Sequence, residues 1–71
     1  MDKKIMYFLR SNNEYLVLDD YCTEEEGWKA AHEFMTNHGF EAPYIRTWFD
    51  TKGNKWFDVS SHTEFFVWGF L

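Results

Sequence analysis

Aromatic side chains are too numerous, and too closely spaced in the second half of the chain, for one small core to hold them all. Eight Phe, four Tyr and four Trp occur in 71 residues. They fall in neighbouring pairs, Trp48-Phe49, Trp56-Phe57 and Phe65-Phe66, before the closing run Phe66-Val67-Trp68-Gly69-Phe70-Leu71. In an extended strand, adjacent side chains point to opposite faces. One member of each pair can therefore enter a core while the other cannot. Because aromatics bury large areas and dominate cores and interfaces alike, the surplus implies a sheet face meant to meet another molecule.

A chain of this length is expected to make one domain, residues 1–71, whose core supplies only a few kcal/mol. Cys22 stands alone, so no intrachain disulfide can form and a reducing, intracellular setting is the simpler expectation. Met1-Asp2-Lys3-Lys4 and the alternating run after it lack the apolar region of a signal peptide, and no stretch approaches membrane-spanning length. The expected setting is therefore soluble and cytoplasmic, without a membrane partner.

Twelve acidic residues against seven basic ones give a formal charge of −5, which disfavours phosphate binding by the chain as a whole. The imbalance is local. Between Arg10 and Lys29 there is no base, while Glu14, Asp19, Asp20, Glu24, Glu25 and Glu26 fall in that interval. These acids suit the dipole of a helix start, and they also form a candidate patch for docking on a basic groove.

Residues 4–10 and 14–22 read as two strands joined at Asn12-Asn13, a pair that tolerates the left-handed backbone of a two-residue hairpin loop. With Ser11 paired to Glu14, Leu9 opposes Leu16 and Tyr7 opposes Leu18. Ile5, Tyr7, Leu9, Leu16 and Leu18 then share one face, and Met6, Phe8, Tyr15 and Val17 the other. Thr23 followed by Glu24-Glu25-Glu26 predicts a capped helix start, with Thr23 and Glu26 bonding each other's amides. The helix should run to about His38 and end at Gly39. Its stripe of Trp28, Ala31, Phe34, Met35 and His38 covers one side of the sheet.

Pro43 in the loop Phe40-Glu41-Ala42-Pro43 keeps the helix from continuing. A second hairpin then follows, Tyr44–Asp50 and Lys55–Ser60, turning at Thr51-Lys52-Gly53-Asn54. A loop of two or four residues there sets Asp50 opposite Lys55, Phe49 opposite Trp56 and Trp48 opposite Phe57. A last strand, Glu64–Phe70, is entered through Ser60-Ser61-His62-Thr63. Its apolar run would invite edge-to-edge pairing if open, so it belongs in the middle of the sheet or beneath a partner. The fold class expected is α+β, ββαβββ: a mostly antiparallel five-stranded sheet with one helix on one face.

Residue types that carry chemistry are present but poorly spaced for it. Cys22, His32 and His38 do not form paired metal-ligand spacing, so no metal and no other cofactor is expected. Asp58-Val59-Ser60-Ser61-His62-Thr63-Glu64 contains the residue types of a hydrolytic triad, but triad members must converge around a substrate, and a short turn provides neither pocket nor oxyanion hole. Aromatics beside Arg46, Lys52 and Lys55 would suit stacking of single-stranded bases, yet Asp50 and Asp58 lie among them and direct nucleic-acid binding is disfavoured. The chain reads as non-catalytic.

The stretch Trp56-Phe57-Asp58-Val59-Ser60-Ser61-His62-Thr63-Glu64-Phe65-Phe66 resembles a pattern in small proteins encoded by phages and prophages of Gram-positive bacteria. There an aromatic strand with an internal Asp leads through a Gly-Ser pair to a second aromatic strand; Ser60 stands here in place of the Gly. The resemblance implies a context of anti-CRISPR-like and other host-takeover inhibitors that block nucleic-acid enzymes. The function expected is a protein-binding module, and the resemblance implies such an inhibitor, with Asp19, Asp20, Glu24, Glu25 and Glu26 steering the encounter and Phe8, Tyr15, Trp48, Trp56 and Trp68 anchoring it. A homodimer formed through the open sheet face and a single-stranded nucleic-acid binder are the alternatives.

Overall fold

A computed structural model of the chain describes residues 2–40, 45–60 and 63–71. Strands β1 (Lys4–Leu9) and β2 (Tyr15–Cys22) precede helix α1 (Glu24–Asn37), and strands β3 (Arg46–Phe49), β4 (Lys55–Asp58) and β5 (Phe65–Gly69) follow it. The strands form one antiparallel sheet in the order β2-β1-β5-β4-β3. This is the expected α+β fold. The doubly apolar β5 takes the central place, where both its backbone edges are paired and both its faces can be covered.

Both hairpins turn in the same way, and differently from expectation. The Arg10 amide donates to the Glu14 carbonyl (2.7 Å) and the Asn13 amide to the Arg10 carbonyl (3.1 Å), with Asn13 left-handed at φ 66°. In the second hairpin the Asp50 amide donates to the Asn54 carbonyl (2.9 Å) and the Gly53 amide to the Asp50 carbonyl (3.2 Å), with Gly53 at φ 82°. Each loop is thus a type I turn closed by one left-handed residue, a three-residue connection. An odd loop shifts the pairing by one residue relative to loops of two or four. Leu9 consequently pairs with Tyr15 and Phe8 with Leu16, while Trp48 pairs with Trp56 and Thr47 with Phe57.

That shift corrects the expected faces. Met6 and Phe8 lie on the helix side with Leu16 and Leu18, whereas Tyr7 and Leu9 share the far side with Tyr15 and Val17. The second hairpin does not expose a Trp–Phe pair: it places both Trp48 and Trp56 on the far side and Phe57 in the core. The expected loop 41–43 and Tyr44, the start of the predicted third strand, lie outside the described residues.

Helix α1 begins as its sequence requires. The Glu26 amide donates to the Thr23 hydroxyl (3.2 Å) and the Thr23 amide to the Glu26 carboxylate (2.9 Å), while Gly39 turns left-handed just past the end at φ 69°. Gly27, Ala31 and Met35 are its buried residues. A Cβ on Gly27 would stand 3.0 Å from both Cys22 Sγ and Met6 Cβ, so glycine permits the close approach of helix to sheet. The helix packs on β1, β2 and β5; it reaches β4 through Trp28, which stacks on Phe57 at 4.8 Å and 13°, and through Glu24, which pairs with Lys55. The core is Met6, Phe8, Cys22, Ala31, Met35, Phe57, Val59, Phe66 and Trp68.

Candidate functional site

The sheet face away from α1 is built by cross-strand rows. Val17, Tyr7, Val67, Trp56 and Trp48 succeed one another across all five strands. Leu9, flanked by Tyr15 and Phe65, begins the neighbouring row. The centre of this face is tightly filled, with Val67 wholly buried and Tyr7 nearly so. Its flanks are open: Tyr15 is 54% exposed, Trp48 42% and Val17 40%. Trp48 and Trp56 lie parallel at 6.2 Å, and Phe65 meets both edge-on at 6.1 and 5.5 Å. Tyr7 and Tyr15 meet edge-on at 6.0 Å.

A groove of about 530 Å³ crosses this face between Tyr15 and the β3–β4 turn, with Tyr7 and Trp56 in its walls. Asp50 organises its far rim. One carboxylate oxygen accepts from the Lys52 amide (2.9 Å) and the Asn54 amide (3.0 Å); the other accepts from the Trp56 indole (3.0 Å) and the Asn54 side chain (3.2 Å). These donors, the indole first, pull the Asp50 carboxyl down to about 2. Burial raises the Tyr7 hydroxyl above its ordinary range, and the Asp50 charge adds to this. Asn54 also accepts from the Phe70 amide (3.0 Å) across Gly69, whose missing side chain leaves the space that the Asn54 amide occupies. Sequence reasoning passed over Asp50 and Gly69. The signal was an Asp at the first position of a turn ending in Gly-Asn, where its carboxylate meets the turn's amides.

The residues expected to bind a partner divide into three groups. Tyr15, Trp48 and Trp56 share the far face. Phe8 and Trp68 lie in the core under the helix, 4% and 7% exposed, because the odd loops and the central position of β5 turn them inward. The acids occupy β2 and the helix start, so Glu24, Glu25 and Glu26 stand on the opposite side of the sheet from the open aromatics. Glu24 pairs with Lys55 at 2.9 Å, Glu26 closes the helix cap, and Asp19 accepts from the Tyr21 amide at 3.3 Å. Hydrogen bonds from the Thr23 amide and then its hydroxyl lower the Glu26 carboxyl. Asp20 and Glu25 are exposed. A shallow hollow of about 680 Å³ also runs beside Glu25, Trp28 and Lys29 on the solvent side of the helix.

The other candidates are dispersed. Cys22 is buried, its thiol directed at the Lys4 carbonyl at 3.4 Å, and burial first, then the Asp19 charge, raises it. His38 folds back on Phe34, its Nδ1 2.9 Å from the Phe34 carbonyl, and His32 is exposed on the helix. Among the described residues no three His, Cys, Asp or Glu side chains gather as metal donors. Asp58 binds Arg46 at 2.9 Å, whereas Ser61 and His62 lie outside the described residues. Lys55 turns to Glu24 on the helix side, and Lys52 sits in the β3–β4 turn. Among the described residues no helix is long and apolar enough to cross a membrane. Comparison with family models, with characterised proteins and with solved structures finds no match.

Proposed function

We propose that the chain is a non-catalytic protein-binding module that docks through the sheet face opposite its helix. The observation supporting this is the aromatic row ending in exposed Tyr15 and Val17 at one edge and exposed Trp48 at the other. Exposed aromatics around a filled centre match the composition of interface cores, where Tyr and Trp are enriched and Lys and Glu depleted. The acids of β2 and the helix start add long-range attraction toward a basic partner. The likeness of Trp56–Phe66 to phage proteins extends the proposal to an inhibitor that occupies a basic, nucleic-acid-binding site on its target.

Affinity capture from a host lysate, repeated with Tyr15→Ser/Val17→Ser, tests the docking face. A partner held by the native chain and by Lys29→Glu, but lost from the double variant, supports it. A partner held equally by all three refutes it. Steering is tested with Asp20→Lys/Glu25→Lys, which leaves the helix cap and the Glu24–Lys55 pair intact. Slower association at low salt, converging on the native rate at high salt, is the expected outcome.

A further inference from the structure

The two edges of the sheet are not protected alike. Strand β2 is interrupted by register shifts against Lys4, Met6 and Tyr7 and carries Asp19 and Asp20. Bulges and like charges are the usual means by which an edge refuses a second strand. Strand β3 has no register shift and no acid, and its four residues are all exposed. Trp48 and Phe49 on it, and Ile45 just before it, are large apolar residues open to solvent.

The Asp50–Asn54 bond sets which backbone groups of β3 face outward. Inward and outward residues alternate in an antiparallel pair. Asp50 faces inward, so Trp48 and Arg46 do too, and Thr47 and Phe49 present their amides and carbonyls to the edge that has no partner strand among the described residues. An antiparallel copy of β3 can meet these groups in three ways. With Phe49 opposite itself, Arg46 of each copy faces Lys52 of the other. With Thr47 opposite itself, Arg46 faces Trp48 and finds no charge. With Thr47 opposite Phe49, the two-fold axis passes at Trp48, and Arg46 of each copy faces Asp50 of the other. This last register alone satisfies the backbone groups and pairs opposite charges, and it does so twice.

We infer that β3 is a self-complementary edge through which two copies of this chain join, in that register, into one continuous sheet. The interface is isologous, as a two-fold pair requires. Each Arg46 then stands between its own Asp58 and the second copy's Asp50. The two Trp48 side chains meet on the far face and join the two aromatic rows. The inference concerns the edge and stands apart from docking on the face: Tyr15→Ser/Val17→Ser leaves it untouched.

Sedimentation equilibrium from micromolar to millimolar chain is the first test. The mass should rise from 8.7 kDa toward twice that value, and a chain that stays monomeric throughout overturns the inference. Thr47→Pro deletes an outward amide while the inward bonds of Arg46 and Trp48 remain, the position at which an edge strand accepts proline. It should weaken association at least about tenfold, and native-like association by a folded Thr47→Pro chain overturns the edge assignment.

Should that variant fail to fold, cysteine cross-linking decides. In the inferred register Trp48→Cys sets two thiols on a close, non-hydrogen-bonded pair of positions, within disulfide reach, whereas Phe49→Cys faces Thr47. Native Cys22 is buried and does not compete. Covalent dimer from Trp48→Cys, formed at least about tenfold faster than from Phe49→Cys, supports the register. Equal rates, or no dimer from either, overturn it.

Discussion

Phe65 and Phe66 are identical side chains, adjacent on the central strand, and only the register of the sheet makes one of them core. Phe66 is wholly buried, its ring 5.0 Å from Phe8 and 5.9 Å from Phe34, with Phe57 directly across the strand pair. Phe66→Ala loses the whole transfer term and leaves a cavity between sheet and helix, about 3–5 kcal/mol. Phe65 is half-buried on the far face and touches Trp48 and Trp56 edge-on. Phe65→Ala loses part of a side chain's burial and two ring contacts, about 1–2 kcal/mol. A chain this small holds about 4–10 kcal/mol in total. Phe66→Ala should therefore remove much or all of the folded population, while Phe65→Ala lowers Tm by roughly 5–15 °C. Phe66→Leu, at about 1–1.5 kcal/mol, keeps the core position measurable if the alanine variant does not fold. Urea titration followed by Trp fluorescence gives all three values. If Phe65→Ala cost as much as Phe66→Ala, the assignment of Phe66 alone to the core would be refuted, and a larger cost for Phe65→Ala would mean that the faces are reversed.

Gly53→Ala should cost about 1 kcal/mol by thermal melting, from the left-handed backbone alone, since nothing lies within 4 Å of the added methyl. Gly69→Ala acts differently: its methyl collides with the Asn54 amide, so the bonds from the Phe70 amide and to Asp50 break together, costing at least about 2 kcal/mol and shifting the Trp56 indole proton resonance. Thr23→Ala, which removes the hydroxyl that accepts from the Glu26 amide, should lower stability by about 1 kcal/mol in the same melts. Asp50 has a folded pKa of about 2 against an ordinary 3.8. A depressed carboxyl stabilises the fold fully above the unfolded value, and that contribution is lost as pH falls through the folded one. The melting temperature should drop as pH goes from about 4 to about 2, and less steeply in Asp50→Asn; equal slopes in the two chains would refute Asp50 as the source.

Element types were legible in the sequence because each had a local cause. The Thr23–Glu26 capping box starts the helix, its apolar stripe faces the sheet, and Gly39 ends it. Phe65–Phe70 carries no charge to guard an edge, which limits β5 to the middle of the sheet or a place beneath a partner, and the fold takes the first. Register was not legible. Asn12-Asn13 and Thr51-Lys52-Gly53-Asn54 are each compatible with loops of two, three or four residues, and the choice depends on whether one residue or two turn left-handed. A single residue of loop length moves every side chain of one strand to the other face. Even-numbered loops set Phe8 on one face with Tyr15 and Val17 and put Trp48 opposite Phe57; the three-residue loops separate Phe8 from Tyr15 and put Trp48 opposite Trp56.

The helix covers β1, β2 and β5 and reaches β4 through the Trp28 ring and the Glu24–Lys55 pair, so the sheet has a closed half and an open one. In the closed half, Met6, Phe66 and Cys22 are fully enclosed beneath the helix, and the bulged, acidic β2 guards the edge while leaving Tyr15 and Val17 open on the far face. In the open half, β3 exposes Trp48 on one face and Phe49, 59% accessible, on the other, with its backbone edge unpaired among the described residues. A short strand gains little from pairing on one side only, so β3 needs support that α1 does not give. Part of it comes from within, through the Arg46–Asp58 pair and the Trp48–Trp56 stack. The remaining apolar surface of β3 is freed from water only by association, whether along its edge or across its face. The uncovered wing thus accounts for why the aromatic surplus lies in the second half of the sequence: it is concentrated where the chain's own helix cannot reach.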